Sequence, residues 1–314
     1  MGVMRLGHVA LKVLSVDEAI DHYTNVLGLI VTHRGDDGSA FLKGWDEWDK
    51  YSLILKPSEE AGVEHIAFKV AEIDDLDGFR SRITEYGVAT EDVASNILPF
   101  CGRSLGFDLP SGHKTFLYAE KEFVGKAVGA LNPDPWPDGL KGAGVHWLDH
   151  VMLMAEVNPE TGVNKVAESV DFLRAALDFG LAEQVMAGPD GDLQVAAWLF
   201  RTSTPHDIAF GAGPRPGLHH ISFFLDEWND VLRAADILAK RRVRVDVTPQ
   251  RHGITRGSTT YFFDPSGNRN EMFAGLGYLT QPDMPVITWT EEEIWRGIFY
   301  HTGAEIGDFL GVYT

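Results

Sequence analysis

The sequence predicts an α+β chain of two similar halves, each spelling strand, helix and several short strands twice over. Three observations predict it. Four segments, GHVALKV, EHIAFKV, DHVMLMA and HHISFFL, each set a histidine just ahead of an apolar or alternating run rich in β-formers. Those histidines are His8, His65, His150 and His220, and a helical pattern follows each one. Both halves also end on the same reversal: Pro110-Ser111-Gly112 feeds HKTFLY, and Pro265-Ser266-Gly267 feeds NRNEMF.

After the His8 strand, Ser15-Val16-Asp17-Glu18 reads as a capping box ahead of AIDHYTNVLGL, whose apolar residues recur three or four apart. Asp75 to Tyr86 is a second, weaker helical stretch after the His65 strand. VAESVDFLRAALDFGL and LDEWNDVLRAADILAKRRV are the third and fourth. Between the halves lies ALNPDPWPDGLKGAG, whose three prolines and three glycines suit a linker rather than a core element. The expected division is residues 1–140 and residues 141–314. The aromatic tail from about residue 280 is expected to cover the C-terminal half, with an N-cap at Thr288 or Thr290 and a short helix from Glu291.

Composition narrows the functional class. Twenty-seven basic against 46 acidic residues give a formal net charge of −19, which argues against nucleic acid and anionic membrane as partners. Cys101 is the only cysteine, so no intrachain disulfide forms, as suits a reducing compartment. The N-terminus lacks a signal-peptide pattern, and no uncharged apolar run is long enough to span a membrane. A cytoplasmic protein is expected.

Aligning the two Pro-Ser-Gly turns sets Glu271 opposite Phe116. The second half therefore offers His150, His220 and Glu271 where the first offers His8, His65 and a phenylalanine. Two histidines and one carboxylate form a recurrent iron(II) site with open positions, so metal is expected in the second half and not in the first. The plainer reading makes each histidine an ordinary hydrogen-bonded core or surface residue. Glu271 resists it more, because an unpaired buried carboxylate costs several kcal/mol. A metal removes that cost; so does an arginine, and Arg269 falls on the same face of an ideal strand. Of the His219-His220 pair, the repeat favours His220, since neighbours on a strand face opposite ways.

His206, His252 and Tyr261 surround this set in sequence and offer proton-handling groups. The alternative places His252 and Arg251 in an exposed loop and Tyr261 in the core. Trp198, Ile254, Ile298 and Phe309 are candidate pocket walls, although each also reads as ordinary core.

At these residues the chain resembles the type I extradiol ring-cleavage dioxygenases of the vicinal oxygen chelate superfamily, most closely their catechol-cleaving members. The resemblance spans the whole chain, including the tail ending in FYHTG, and is strongest over RHGITRGSTTYFFDPSGNRNEMF from Arg251 to Phe273. Thr260, ahead of the tyrosine, departs from an aliphatic preference of the family. The resemblance implies paired βαβββ modules in each half, forming curved, barrel-like mixed sheets. It implies that His150, His220 and Glu271 hold one non-haem iron(II) per chain, with manganese(II) as the alternative ion. His206 becomes an acid–base residue near dioxygen, and His252 and Tyr261 become partners of the catechol oxygens. The implied reaction is extradiol (meta) cleavage of catechol or a small alkyl catechol by dioxygen, giving 2-hydroxymuconate semialdehyde, in a homotetramer. The alternatives are a larger catechol such as 2,3-dihydroxybiphenyl or homoprotocatechuate, a metal-dependent lyase or isomerase of the same scaffold, and a non-enzymatic small-molecule-binding protein.

Overall fold

The computed structural model describes residues 2–94, 97–303 and 307–314. Among them the unit βαβββ occurs four times. The first comprises β1 (Val3–Val13), α1 (Val16–His22), β2 (Ile30–Arg34), β3 (Ala40–Lys43) and β4 (Leu53–Pro57). The second comprises β5 (Gly62–Val70), α2 (Asp75–Tyr86), β6 (Glu91–Asp92), β7 (Ser104–Asp108) and β8 (Lys114–Tyr118). The third begins with β9 (Leu148–Asn158) and a short β10 (Val163–Asn164), then α3 (Lys165–Leu177), β11 (Gly180–Ala187), β12 (Leu193–Phe200) and β13 (Ile208–Gly213). The fourth is β14 (Gly217–Leu225), α4 (Trp228–Arg241), β15 (Val245–Arg251), β16 (Ser258–Phe263) and β17 (Arg269–Ala274).

The helices start and stop for local reasons. The Ser15 hydroxyl accepts from the Glu18 amide as the sequence predicts, but α1 then widens into a π-turn over Tyr23–Leu27. That turn ends at Gly28, at φ 95°, where a Cβ would meet the Lys141 carbonyl oxygen at 2.4 Å. Asn164 caps α3 through the Ala167 amide, and Glu227 with Asp230 forms a reciprocal capping box on α4.

The strands form two curved, open sheets. One runs β2-β3-β4-β1-β5-β8-β7-β6; the other runs β15-β16-β17-β14-β9-β13-β12-β11-β18, where β18 is Ile287–Thr290. In each sheet two units meet through their first strands, β1 against β5 and β9 against β14, both antiparallel. Each unit also closes its last strand parallel to its first. The histidine-bearing strands therefore lie at the centre of each sheet, and β14 is buried along its whole length.

Period-two alternation then separates core from site. Val151 and Leu153 of β9, Ile221 and Phe223 of β14, Phe262 of β16 and Met272 of β17 enter the main core. Their neighbours Met152, Met154 and Tyr261 face a second apolar cluster built with Ile298, Phe299 and Phe309 of the tail. That tail was expected as a cover. It contains the strand β18, which sequence periodicity missed, pairing parallel with β11. A 3₁₀ turn at Glu291–Glu293 leads into α5 (Ile294–Ile298), and α6 (Gly307–Gly311) follows. Thr290 occupies the cap position but makes no side-chain capping bond. No helix among the described residues is long and apolar enough to cross a membrane.

The halves are tied by buried polar bonds as well as packing. Tyr23 is fully buried, and its hydroxyl lies 3.2 Å from Asp264 Oδ2 and 3.0 Å from Asn270 Oδ1. Asp264 keeps three other donors, whereas Tyr23 is the donor that reaches Asn270 Oδ1. Tyr23→Phe should lower unfolding stability by about 1–2 kcal/mol, the cost of one unmet buried acceptor. A urea titration followed by circular dichroism measures this, and an unchanged midpoint would show that the bond contributes nothing net.

Candidate metal centre

Strand register builds the site as a lateral row. Ser222 of β14 is the register partner of His150 on β9 and of Glu271 on β17. Glu271 in turn is the partner of Tyr261 on β16. These four side chains share the face opposite the core, and His220 joins them two residues before Ser222. Ser222, small and fully buried, sits between the flanking imidazole and carboxylate in this row. The same register in the first half gives the row His8, Ala67, Phe116, so the alignment of Phe116 with Glu271 is a property of the fold.

The side-chain atoms converge accordingly. His150 Nε2 lies 2.9 Å from Glu271 Oε2, and His220 Nε2 lies 3.4 Å from the same oxygen. One ligand atom from each of His150, His220 and Glu271 falls within 4.8 Å of the others. His220 Nε2 is buried without a hydrogen-bond partner. A buried lone pair aimed at a carboxylate and a second imidazole suits a divalent cation, which would satisfy all three donors at once. The arginine alternative is excluded by geometry. Arg269 turns along the strand to Asp246, at 2.9 Å, and to the Val312 carbonyl, at 2.7 Å.

Burial and charge split the titrations of these groups. Burial alone would raise Glu271, but the hydrogen bond from His150 and the neighbouring His220 ring hold it well below the usual carboxylate range. Burial opposes a charge on His150 too, yet the carboxylates of Asp149 and Glu271 lift it to about 9. His220 is pushed down to about 4, first by burial. His206 is driven well below 6.5 by burial and then by the neighbouring His150.

The remaining predicted residues line the same cavity. The His206 ring packs against His150 at a tilt of 42°, with centroids 3.9 Å apart. The His252 alternative of an exposed loop fails, because its ring is buried and its Nδ1 binds the Ile298 carbonyl, while the adjacent Arg251 side is exposed. His252 Nε2 lies 2.8 Å from the Tyr261 hydroxyl. Trp198, Ile254, Ile298 and Phe309 all contribute walls. The structure thus brings all ten sequence-derived residues together.

Several supporting residues were not anticipated. The Thr259 hydroxyl donates to Glu271 Oε1. Asp149 accepts from His150 Nδ1 at 2.8 Å, and His219 meets His220 through their Nδ1 atoms at 2.6 Å. Glu183, buried, accepts from the Thr255 amide, the Tyr278 hydroxyl at 2.7 Å and the Trp289 indole at 2.7 Å, and so fastens the tail over the cavity. The Asp-His and His-His dipeptides were visible in the sequence, but nothing local distinguished an orienting neighbour from an outward-facing one.

Similarity to known proteins covers the whole chain. The family "Glyoxalase/Bleomycin resistance protein/Dioxygenase superfamily" matches residues 147–272, and "Catechol 2,3-dioxygenase-like N-terminal domain" matches residues 63–122. A metapyrocatechase of Pseudomonas sp. (strain CF600) is 41% identical, over 100% of this chain and 99% of the relative. A manganese-dependent 2,3-dihydroxybiphenyl 1,2-dioxygenase of Geobacillus genomosp. 3 is 28% identical over 95% of this chain and 94% of its own. Among solved structures, the 2,3-dioxygenase LapB from Pseudomonas sp. KL28 superposes with a TM-score of 0.87 at 39% identity, covering 93% of this chain and 99% of that one. The homoprotocatechuate 2,3-dioxygenase of Arthrobacter globiformis shares the fold, with a TM-score of 0.84 at 24% identity over 100% of this chain and 92% of that one.

His220→Ala should abolish retention of a divalent metal while the first half stays folded, because one imidazole leaves the cluster and the main core is untouched. Metal content after desalting, read beside the far-ultraviolet spectrum, tests this; a variant that keeps a full equivalent of metal defeats the assignment.

Proposed function

The chain belongs to the extradiol dioxygenases of the vicinal oxygen chelate superfamily, and on that premise we propose that it opens catechol or a small alkyl catechol beside the diol, at a non-haem iron(II). The reading takes one iron(II) per chain, held by His150, His220 and Glu271, with a manganese-dependent relative marking the alternative ion. The product from catechol is 2-hydroxymuconate semialdehyde, with both atoms of dioxygen retained. A homotetramer in the cytoplasm, with its halves divided near residue 140, completes the reading.

The observation that carries it is the lining of the cavity. Three neutral proton-handling groups, His206, His252 and Tyr261, converge beside the ligand cluster, and the rest of the wall is apolar apart from Thr255. When bound, the metal would supply Lewis acidity and redox activity toward the catechol and dioxygen. The protein's own groups handle protons and orientation. The Ile298 carbonyl accepts a hydrogen bond from His252 Nδ1–H, so Nε2 is that ring's acceptor. It faces the Tyr261 hydroxyl, whose proton is retained because burial raises the phenol well above 10. Together they can accept one proton from an incoming diol and donate one hydrogen bond to the oxygen left behind. His206 is neutral at physiological pH and can take up a proton and return it during ring opening.

The walls favour a neutral ring over a carboxylated one. No lysine or arginine stands among the described lining residues, so the carboxylate of homoprotocatechuate would be buried without a counter-charge. Anaerobic loading with iron(II), then oxygen uptake, should show turnover of catechol, 3-methylcatechol and 4-methylcatechol with a yellow product. Homoprotocatechuate should have kcat/KM lower by at least about 100-fold, as expected when a carboxylate is desolvated unpaired. Absence of oxygen uptake with every catechol would leave a binding protein, and preferred turnover of homoprotocatechuate or 2,3-dihydroxybiphenyl would reject the small-ring assignment.

His206→Phe tests the proton role separately. The variant should keep its metal and lose about 10²- to 10⁴-fold in turnover, the range typical of a removed general acid–base group. Wild-type turnover with catechol would rule that role out.

A further inference from the structure

We propose that the residue in the β-bulge just before each metal-site histidine is a positioning residue: Asp149 for His150 and His219 for His220. Each accepts a hydrogen bond from Nδ1 of its imidazole and so turns Nε2 toward Glu271, as the nitrogen left to hold a metal. This deepens the metal reading above and rests on it.

The hydrogen-bond polarity follows from groups that can act in only one sense. Asp149 Oδ2 lies 2.8 Å from His150 Nδ1, and a carboxylate accepts, so Nδ1 carries the proton. The other oxygen of Asp149 accepts from the Trp147 indole at 3.2 Å. For His220 the relay is longer. His219 Nε2 lies 2.8 Å from the Phe309 carbonyl, which also only accepts, so His219 carries its proton there. His219 Nδ1 must then accept from His220 Nδ1, 2.6 Å away. Nδ1 is thus committed on both rings and Nε2 is the nitrogen that faces the cluster: His220 Nε2 has no hydrogen-bond partner, and His150 Nε2 donates to Glu271 Oε2 at 2.9 Å until a cation takes that proton's place.

Neighbours on a regular strand face opposite ways, so these contacts need an irregularity. The register supplies it. On β14 the pairing with β9 passes from Leu218↔Leu153 to His220↔Met152, which leaves His219 as the extra residue. On β9 it passes from Ser222↔His150 to Phe223↔Leu148, which leaves Asp149. The first half repeats both irregularities, at Gly7 before His8 and at Glu64 before His65. Those slots do not serve the rings. At Gly7 a Cβ would meet the Tyr118 hydroxyl at 2.2 Å, and Glu64 is exposed and paired with Lys56. His8 Nδ1 instead faces Lys121 Nζ at 3.1 Å. In its ammonium form Lys121 can only donate, which places the His8 proton on Nε2, directed at His65 Nε2 at 3.2 Å. One bulge, used four times, thus presents an acceptor to Nδ1 only in the second half.

Asp149→Asn gives a discriminating test. Both oxygens of Asp149 face donors, whereas an amide has a single acceptor oxygen. With Trp147 holding that oxygen, the amide NH₂ faces His150 and shifts the imidazole proton to Nε2. Adding Trp147→Phe removes the competing donor while keeping an aromatic ring against Phe224, whose centroid is 4.3 Å from that of Trp147. Cobalt(II) affinity is measured by chelator competition, with the visible spectrum as readout. Asp149→Asn and His219→Phe should each bind about 10–100-fold more weakly, the usual effect of losing an outer hydrogen-bond partner. The double variant should return to within a few-fold of wild type. Wild-type affinity in Asp149→Asn, or a loss that Trp147→Phe does not relieve, overturns the inference. A wild-type protein that takes up no cobalt overturns the metal reading itself, and this inference with it.

Discussion

Everything at this site depends on the register between β9, β14 and β17. The row His150–Ser222–Glu271 exists because three central strands are held in one alignment. Shifting β14 or β17 by one residue would turn its ligand into the main core and bring a core-facing neighbour into the cavity. The main core therefore specifies the metal cluster: Ile221, Phe223 and Met272, on the opposite face, can be buried only in the register that aligns the ligands. Hydrophobic burial of about 25 cal/mol per Å² acts here as a positioning force for polar groups it never touches.

The two halves show one scaffold holding opposite charge. In the second half a buried carboxylate is flanked by imidazoles; in the first, Phe116 replaces it and the buried ionisable group beside the His8 ring is Lys121. Burial pushes that amine down to about 7, and it is held by the Tyr51 carbonyl, by His8 and by the faces of the Tyr51 and Tyr118 rings. His8 and His65 thus meet a donor and each other, where their counterparts meet acceptors. The substitution that separates the halves is more than the loss of one ligand. It reverses the polarity of the hydrogen-bond network around the same pair of rings.

Much of this was legible in the sequence because it was written as a repeat. His8, His65, His150 and His220 announced four equivalent strands, and the shared Pro-Ser-Gly turn placed Glu271 against Phe116. The cavity walls Ile298 and Phe309 followed from an aromatic tail too apolar to be solvated. What escaped obeys no local period. β18 is a short edge strand whose pairing depends on β11 and on Glu183, more than a hundred residues away in sequence. The roles of Asp149 and His219 arise from an extra residue in the ladder, and strand alternation predicts the wrong face at such a point. Arg269 illustrates the converse. It shares an ideal face with Glu271, yet its long side chain reaches along the sheet to Asp246 and the tail.

The tail is a cover in the packing sense and a set of acceptors in the chemical sense. Ile298 and Phe309 close the cavity with their side chains, while their carbonyls bind His252 Nδ1 and His219 Nε2. Each carbonyl accepts from one imidazole N–H, so each fixes which nitrogen of that ring carries the proton. Excluding water and setting proton positions are therefore the same event: a tail lifted from the sheet would wet the cavity and free both rings to change tautomer. Glu183 links that event to the loop carrying Ile254, because it accepts from the Thr255 amide and from Trp289 of β18 together. Thr255 and Arg256 both adopt left-handed backbone there, at φ 58° and 59°, an uncommon state for non-glycine residues that needs such anchoring to persist. The acid–base geometry beside the metal cluster is thus completed from outside the repeated units, by a segment with no counterpart in the first half.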